Sequence, residues 1–204
     1  MKNMHYNSAK ITGRMVGGLI YSHASEKTVY FKGLLAVNRM SGTVDLIPIV
    51  VNERTAAGLP DLTDKTVTVT GQISTCNRPD GTRSRLLVEL FAFHIDVLEI
   101  GEHANDVHIR GVVCKNPVFR VTPGGREIAD VMLAVNRPGG HASYIPCIAW
   151  GCDARVVRDL PVGSMIELYG RFQSRRYDKK LDGGLCEQRT AYEVSASKVV
   201  MEAK

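Results

Sequence analysis

The sequence predicts an all-β fold made of two similar units in tandem. Two observations carry this. Leu35-Ala36-Val37-Asn38-Arg39 recurs as Leu133-Ala134-Val135-Asn136-Arg137, and Ile47-Pro48 recurs as Ile145-Pro146, both 98 positions later. Around each copy the pattern reads strand, strand, strand, short helix, strand, strand. The chain of 204 residues therefore divides into two units of about 100, each long enough to bury its own core.

The elements follow in order. Residues Ala9–Ile20 are β-branched and interrupted by glycine, which predicts a first strand bending sharply at Gly17-Gly18. Its counterpart is Val107–Val118, with Gly13 matched by Gly111. Thr28–Arg39 is rich in β-formers and gives the second strand, and Val44–Val51 the third. Asn52–Leu59 and Gly151–Leu160 are mixed segments suited to two-turn helices. A fourth strand follows at Lys65–Thr75 and at Ser164–Ser174, with Gly71 matching Gly170. Asn77 to Gly81 is a strong turn signal before a fifth strand at Arg85–Leu98. In the second unit a longer loop, Asp178 to Gly184, precedes a fifth strand at Gln188–Met201. A five-stranded Greek-key barrel with a helix between strands three and four is the OB-fold. Two tandem OB-folds are expected: residues 1–100, a linker at 101–106, and residues 107–204.

Composition narrows the function. The five cysteines, Cys76, Cys114, Cys147, Cys152 and Cys186, are odd in number and lack CxxC spacing. They encode neither a disulfide framework nor a zinc site, which suits a reducing compartment. No apolar run reaches the ~18 residues of a spanning helix, and Met1 to His5 lacks a secretory apolar segment. A soluble cytoplasmic protein without membrane contact is expected. Nucleophile-elbow, phosphate-loop and metalloprotease motifs are missing, and the six histidines are scattered. The expectation is therefore a binding protein and not an enzyme, with no cofactor and no metal.

Charge and aromatics then indicate a ligand. The net charge of +5 divides as +1 over residues 1–104 and +4 over residues 105–204. In the second unit's fourth strand, alternation puts Ile166, Leu168, Gly170 and Phe172 on one face and Tyr169, Arg171, Gln173, Arg175 and Tyr177 on the other. The second set interleaves rings on which bases can stack with guanidinium groups that can neutralise phosphates. Arg176, Lys179 and Lys180 extend the charge. Tyr144 and Trp150 share a face of the third strand with Pro146 and Ile148, whereas Ile145, Cys147 and Ala149 already supply an apolar inner face.

These runs resemble the bacterial single-stranded-DNA-binding proteins. Tyr144-Ile145-Pro146-Cys147-Ile148-Ala149-Trp150-Gly151 is similar to that family's aromatic-Ile-x-Cys-x-x-Trp-Gly motif. Gly163 to Tyr177 is similar to its Gly-Ser, Gly-Arg-Leu-Gln and Arg-aromatic stretch. The resemblance covers nearly all of residues 107–202. It implies that Tyr144, Trp150 and Tyr177 stack bases, with Arg137, Arg171 and Arg175 as phosphate or base-edge partners. Sequence-nonspecific binding and protection of single-stranded DNA in replication, recombination, repair or mobile-element maintenance is the expected function. The alternative is a primosome-type accessory or an assembly module that retained the fold with weak DNA binding.

The first unit has Leu46, Asn52, Thr70, Gln72, Cys76 and Arg78 where the second has Tyr144, Trp150, Tyr169, Arg171, Arg175 and Tyr177. It is expected to bind DNA weakly and to serve instead as an internal dimerisation unit. The family's acidic C-terminal tail has no counterpart in the sequence, so its recruitment of replication proteins is an open expectation. Because the family gathers four barrels, the resemblance also implies a homodimer.

Overall fold

The computed structural model describes residues 6–80, 83–98, 103–137, 140–180 and 186–201. Its first unit contains β1 (Tyr6–Met15), β2 (Ile20–Ser25), β3 (Thr28–Asn38), β4 (Val44–Asn52), α1 (Glu53–Ala56), β5 (Thr66–Asp80) and β6 (Arg83–Val97). The second repeats the order with β7 (Asn105–Val113), β8 (Val118–Val121), β9 (Glu127–Asn136), β10 (Ala142–Trp150), α2 (Gly151–Arg158), β11 (Met165–Lys180) and β12 (Cys186–Met201). β1 pairs with both β5 and β3, and the parallel pairing of β4 with β6 completes the ring. β7 with β11 and β9, and β10 with β12, repeat that closure. Both units are OB-fold barrels.

The repeated motif is largely barrel interior. Leu35 and Leu133, and Ile47 and Ile145, are fully buried. They pack with Ile11, Ile49, Ile73 and Leu90 in one core and with Ile109, Leu168, Phe172 and Val194 in the other. Gly71 and Gly170 sit at register shifts in β5 and β11. A Cβ on either would run into the carbonyl oxygen of Phe91 or Ser195 on the paired strand. Only glycine lets the strands cross this closely as they coil.

Several expected elements differ, among them the two-turn helix expected over Asn52–Leu59, which is the four-residue α1. The expected strand over Ala9–Ile20 is two elements: β1 ends at Met15, Gly17 turns with φ +75°, and Ile20 opens β2. In the second unit Val118 likewise belongs to β8. The glycine pair thus ends the strand where a bend was expected.

The turn expected over Asn77–Gly81 is instead continuing strand, since Asn77 pairs with Leu86, Arg78 with Arg85 and Asp80 with Arg83. Residues 81 and 82 lie outside the described residues. Pro79 is tolerated because the projecting arm has only two strands, so its missing N–H need not face a third. β11 likewise continues to Lys180, opposite Cys186, inside the expected loop, of which residues 181–184 lie outside the described residues. β7 begins at Asn105, within the expected linker, whose residues 101 and 102 are also outside those described.

The two barrels are joined by antiparallel pairing of β1 with β7, from Tyr6 opposite Arg110 to Ile11 opposite Asn105, giving one 12-stranded sheet. This pairing is pseudo-twofold. Asn7 and Asn105, one repeat apart, each use the carboxamide both to donate to and to accept from a backbone, Ile73 in one barrel and Phe172 in the other. A second pair of contacts crosses between barrels. Arg39 forms a bidentate ion pair with Asp45 at 2.6 Å and donates to the Ser174 carbonyl, while Asp45 accepts from the Ser174 N–H and hydroxyl. The mirrored contacts are weaker: Arg137 donates to the Ser74 hydroxyl and the Tyr144 N–H donates to the Thr75 hydroxyl.

Burial opposes ionisation of the Asp45 carboxyl, but Arg39 and the Ser174 donors outweigh it and hold its pKa below the ordinary value. Asp45→Ala strands a half-buried guanidinium and should destabilise the protein by about 3 kcal/mol at neutral pH, read by urea unfolding. A depressed native pKa gives stability that is complete above the unfolded carboxylate pKa and is lost as pH falls through the native one. The penalty of the substitution should therefore shrink in acid below that range.

Candidate nucleic-acid interface

Period-two alternation along β11 sorts the side chains as expected at its ends and differently in its middle. Ile166, Leu168 and Phe172 are fully buried, whereas Tyr177 is exposed with the Arg175 guanidinium 5.7 Å from its ring centroid. Between them Gln173, on the outer face, is only 5% exposed. It donates to Glu193, itself buried, and Arg171 donates to the Gln173 carboxamide oxygen. Arg175 lies 3.6 Å from the same Glu193 carboxylate. Arg171, Gln173, Glu193 and Arg175 thus form one polar ladder that holds the two guanidinium groups on this face, Arg175 beside Tyr177.

Trp150 ends β10 and opens α2. It is half-buried, and its indole N–H donates to the Ser195 hydroxyl at 3.0 Å. Ser195 is opposite Arg171 in the β11–β12 ladder, so Trp150 and Arg171 flank one strand position. Ile148, on the same side of β10, is buried. The outer surface is therefore open only at Tyr144, Pro146 and the edge of Trp150. Tyr144 is 47% exposed and stands where the second barrel meets the first.

Other expected site residues fall elsewhere. Arg137 points into the barrel junction, with its Nε buried and without a hydrogen-bond partner. The residue in the place of Asp45 is Ser143, so Arg137 lacks the carboxylate that Arg39 has. Tyr169 stacks on His108 at 4.3 Å and donates to Glu167, while Tyr6 packs against the same imidazole at 4.5 Å. That cluster lies over the joined strands β1, β7 and β11. Arg176 is exposed on the other face of the β11–β12 arm. Lys179 is half-exposed, and the Lys180 side chain lies outside those described.

A cleft of about 900 Å³ separates the barrels and collects several of these groups. Arg175, Tyr177 and Lys179 line it from β11, and Arg85, Leu87 and Glu89 from β6. The β6 residues were not legible as site residues, because they were read only as an expected strand, and what makes them line a site is the second barrel's arm facing them across the cleft. Glu89 is half-buried there. Burial pushes its carboxyl up against the opposing pull of His23, Lys32 and Arg78.

The first barrel handles the Trp150 position differently. Asn52 stands there, and its side chain accepts from the Thr55 N–H at 2.8 Å as the N-cap of α1. Trp150 makes no such cap, and α2 is held instead by buried Ala154 and Val157. Among the described residues no cluster of His, Cys, Asp or Glu could hold a metal ion, and no helix is long and apolar enough to cross a membrane.

Residues 104–202 match the model of the single-strand binding protein family. The second barrel belongs to that family. The single-stranded DNA-binding protein of Halalkalibacterium halodurans is 37% identical over 81 residues, 36% of this chain and 48% of that protein. Single-stranded DNA-binding protein A of Bacillus subtilis is 35% identical over 83 residues, 37% and 48% of the two chains. The chain thus spans about half the length of the curated relatives it matches. Both barrels together resemble the crystal structure of the wild-type single-stranded DNA binding protein from Thermus aquaticus. The TM-score is 0.78 at 19% identity, covering 98% of this chain and 95% of that one. That likeness extends the fold to the barrel outside the family match.

Glu89 gives the cleft a pH dependence that can be separated from the rest of the surface. Its raised pKa lets it take up a proton as pH falls toward the carboxylate range, removing a negative charge from the cleft. Glu89→Gln should bind oligothymidylate more tightly at pH 7 than the unaltered protein, and should gain less on acidification to pH 5, measured by fluorescence titration at fixed salt.

Proposed function

We propose that this protein binds and protects single-stranded DNA without strong sequence preference, chiefly through the outer surface of its second barrel. The observation that supports this most directly is the alignment of Tyr177 under Arg175 and of Trp150 beside Arg171 on one face of a family barrel. A single strand needs both: rings for bases and cations for phosphates. Tyr144 extends the stacking row toward the junction, and Arg176, Lys179 and Lys180 add charge along the arm. Tyr169 and Arg137 contribute indirectly, by holding the strands of the junction. The chemistry is binding, with no bond made or broken. Exposed strands in bacterial replication, recombination or repair are the natural substrate, in the cytoplasm.

The same reading gives an assembly. A dimer would place four barrels in one particle, and the face carrying Tyr6, His108 and Tyr169 suits a self-contact because it is broad, shared by both barrels and aromatic at its centre. The expected mass in sedimentation is twice 22.4 kDa.

Oligothymidylate should quench Trp150 fluorescence, and affinity should fall steeply with salt as phosphate contacts release counterions. Trp150→Ala with Tyr177→Ala should cost on the order of 2 to 6 kcal/mol of binding at ~1 to 3 per base stack, with thermal unfolding little changed. Full retention of oligothymidylate by that double variant at low salt would refute the assignment.

A further inference from the structure

The first barrel has lost the aromatics at the positions of Tyr144, Trp150, Tyr169 and Tyr177, yet it is not without rings on its outer surface. His23 stacks on Tyr30 at 4.8 Å and 12°, Tyr30 lies 6.4 Å from Phe91, and Phe91 meets Phe93 edge-on at 5.6 Å. The four rings cross the sheet from β2 over β3 to β6. None of them belongs to the buried core or to the residues packed against it. Phe93 is 53% exposed at one end of the row and His23 is exposed at the other, with Tyr30 and Phe91 half-buried between them. A continuous row of rings left open to water on a half-polar strand face is a surface shaped for flat apolar ligands.

Its position in the fold is informative. Leu90 pairs with Ile73 as Val194 pairs with Phe172, so Phe91 stands in the first barrel where Ser195 stands in the second. Ser195 is the residue that holds the Trp150 indole. Where the second barrel has tryptophan on one strand and serine on the next, the first has Asn52 and Phe91. The ring has moved one strand across, and Tyr30, opposite Asn52 in the β3–β4 ladder, stands beside it.

The surface is also continuous with the cleft. Arg85, Leu87 and Glu89 line the cleft from β6, and Phe91 follows them on the same side of that strand, opposite buried Val88, Leu90 and Ala92. Lys32 shares the side of β3 that carries Tyr30, and Lys32 and Arg78 act on the Glu89 charge. Rings, flanking cations and a groove leading in from Tyr177 occur together.

We propose that the first barrel carries its own base-stacking surface, formed by His23, Tyr30, Phe91 and Phe93. A single strand seated on the second barrel passes through the cleft and continues onto these rings. The inference rests on the second barrel binding single-stranded DNA. It departs from the sequence expectation that the first barrel is a weak binder serving assembly, because that expectation compared equivalent positions and the rings lie on neighbouring strands.

Phe93→Ala and Tyr30→Ala in the full chain test it with two oligothymidylates, one of about 8 nucleotides, within the range occluded by a single OB barrel, and one of about 30, long enough to span two. Each substitution should weaken binding of the long oligonucleotide by on the order of tenfold and leave the short one, read by Trp150 quenching, unchanged. Phe93→Tyr should restore the affinity. Long oligothymidylate carrying 5-iododeoxyuridine should photo-crosslink to peptides containing Tyr30 or Phe93 as well as to the second barrel. Unchanged long-oligonucleotide affinity in both variants, with crosslinks confined to the second barrel, overturns the proposal. So does a fall in particle mass without a change in DNA affinity, which would make a second copy the occupant of this face. If the unaltered protein binds neither oligonucleotide, the second-barrel reading fails with it; if only Trp150→Ala loses binding, this proposal alone fails.

Discussion

The pairing of β1 with β7 is the contact on which the rest of the arrangement depends. It runs antiparallel about a pseudo-twofold point, so each barrel presents its fourth strand, its long arm and its Leu-Ala-Val-Asn-Arg segment to the same region of the other. The contacts between the barrels follow from that symmetry: the crossing of Arg39 to Ser174 and of Arg137 to Ser74, and the cleft between the arms. Continuous hydrogen bonding across the junction also removes two exposed sheet edges that isolated barrels would have to protect.

The symmetry is imperfect where charge is involved. One crossing contact has an aspartate, a bidentate arginine and two donors from the facing strand, while the other has serine in place of the aspartate. A buried ion pair costs desolvation and is favoured only when its hydrogen bonds are complete. Asp45 meets that condition and Arg137 does not, so most of the specificity of barrel docking resides on one side. The same region contributes Tyr144 to the second barrel's surface, which couples docking to the shape of that surface.

Much of the fold was legible in sequence because it rests on short-range rules. Ile166, Leu168 and Phe172 alternate with Glu167, Tyr169, Arg171 and Gln173 and are buried as alternation requires, and Leu35 and Ile47, marked by the repeat, are buried in the same way. The long arms were missed because Asn77-Arg78-Pro79-Asp80-Gly81 is a turn by local preference, whereas ladder pairing in a two-stranded ribbon overrides preference along most of that segment. Tyr169 was read by its strand face alone, and Arg137 through the family resemblance. Pairing across barrels and a neighbouring histidine decide where those side chains go, and neither is visible within one strand. The rings of the first barrel were overlooked for a related reason: comparing copies position by position cannot see an aromatic that has shifted to an adjacent strand.

Asn52 and Trp150 occupy one structural position and do different work. The four-residue helix after Asn52 has no buried side chain and relies on its cap, whereas the eight-residue helix after Trp150 anchors itself through Ala154 and Val157. A longer helix thus released its first position from a structural duty, and that position became free to carry a ring. In a duplicated fold, divergence of this kind need not begin at the ligand surface at all. About one extra turn's worth of packing behind the sheet can be the permissive change, and the aromatic the later one.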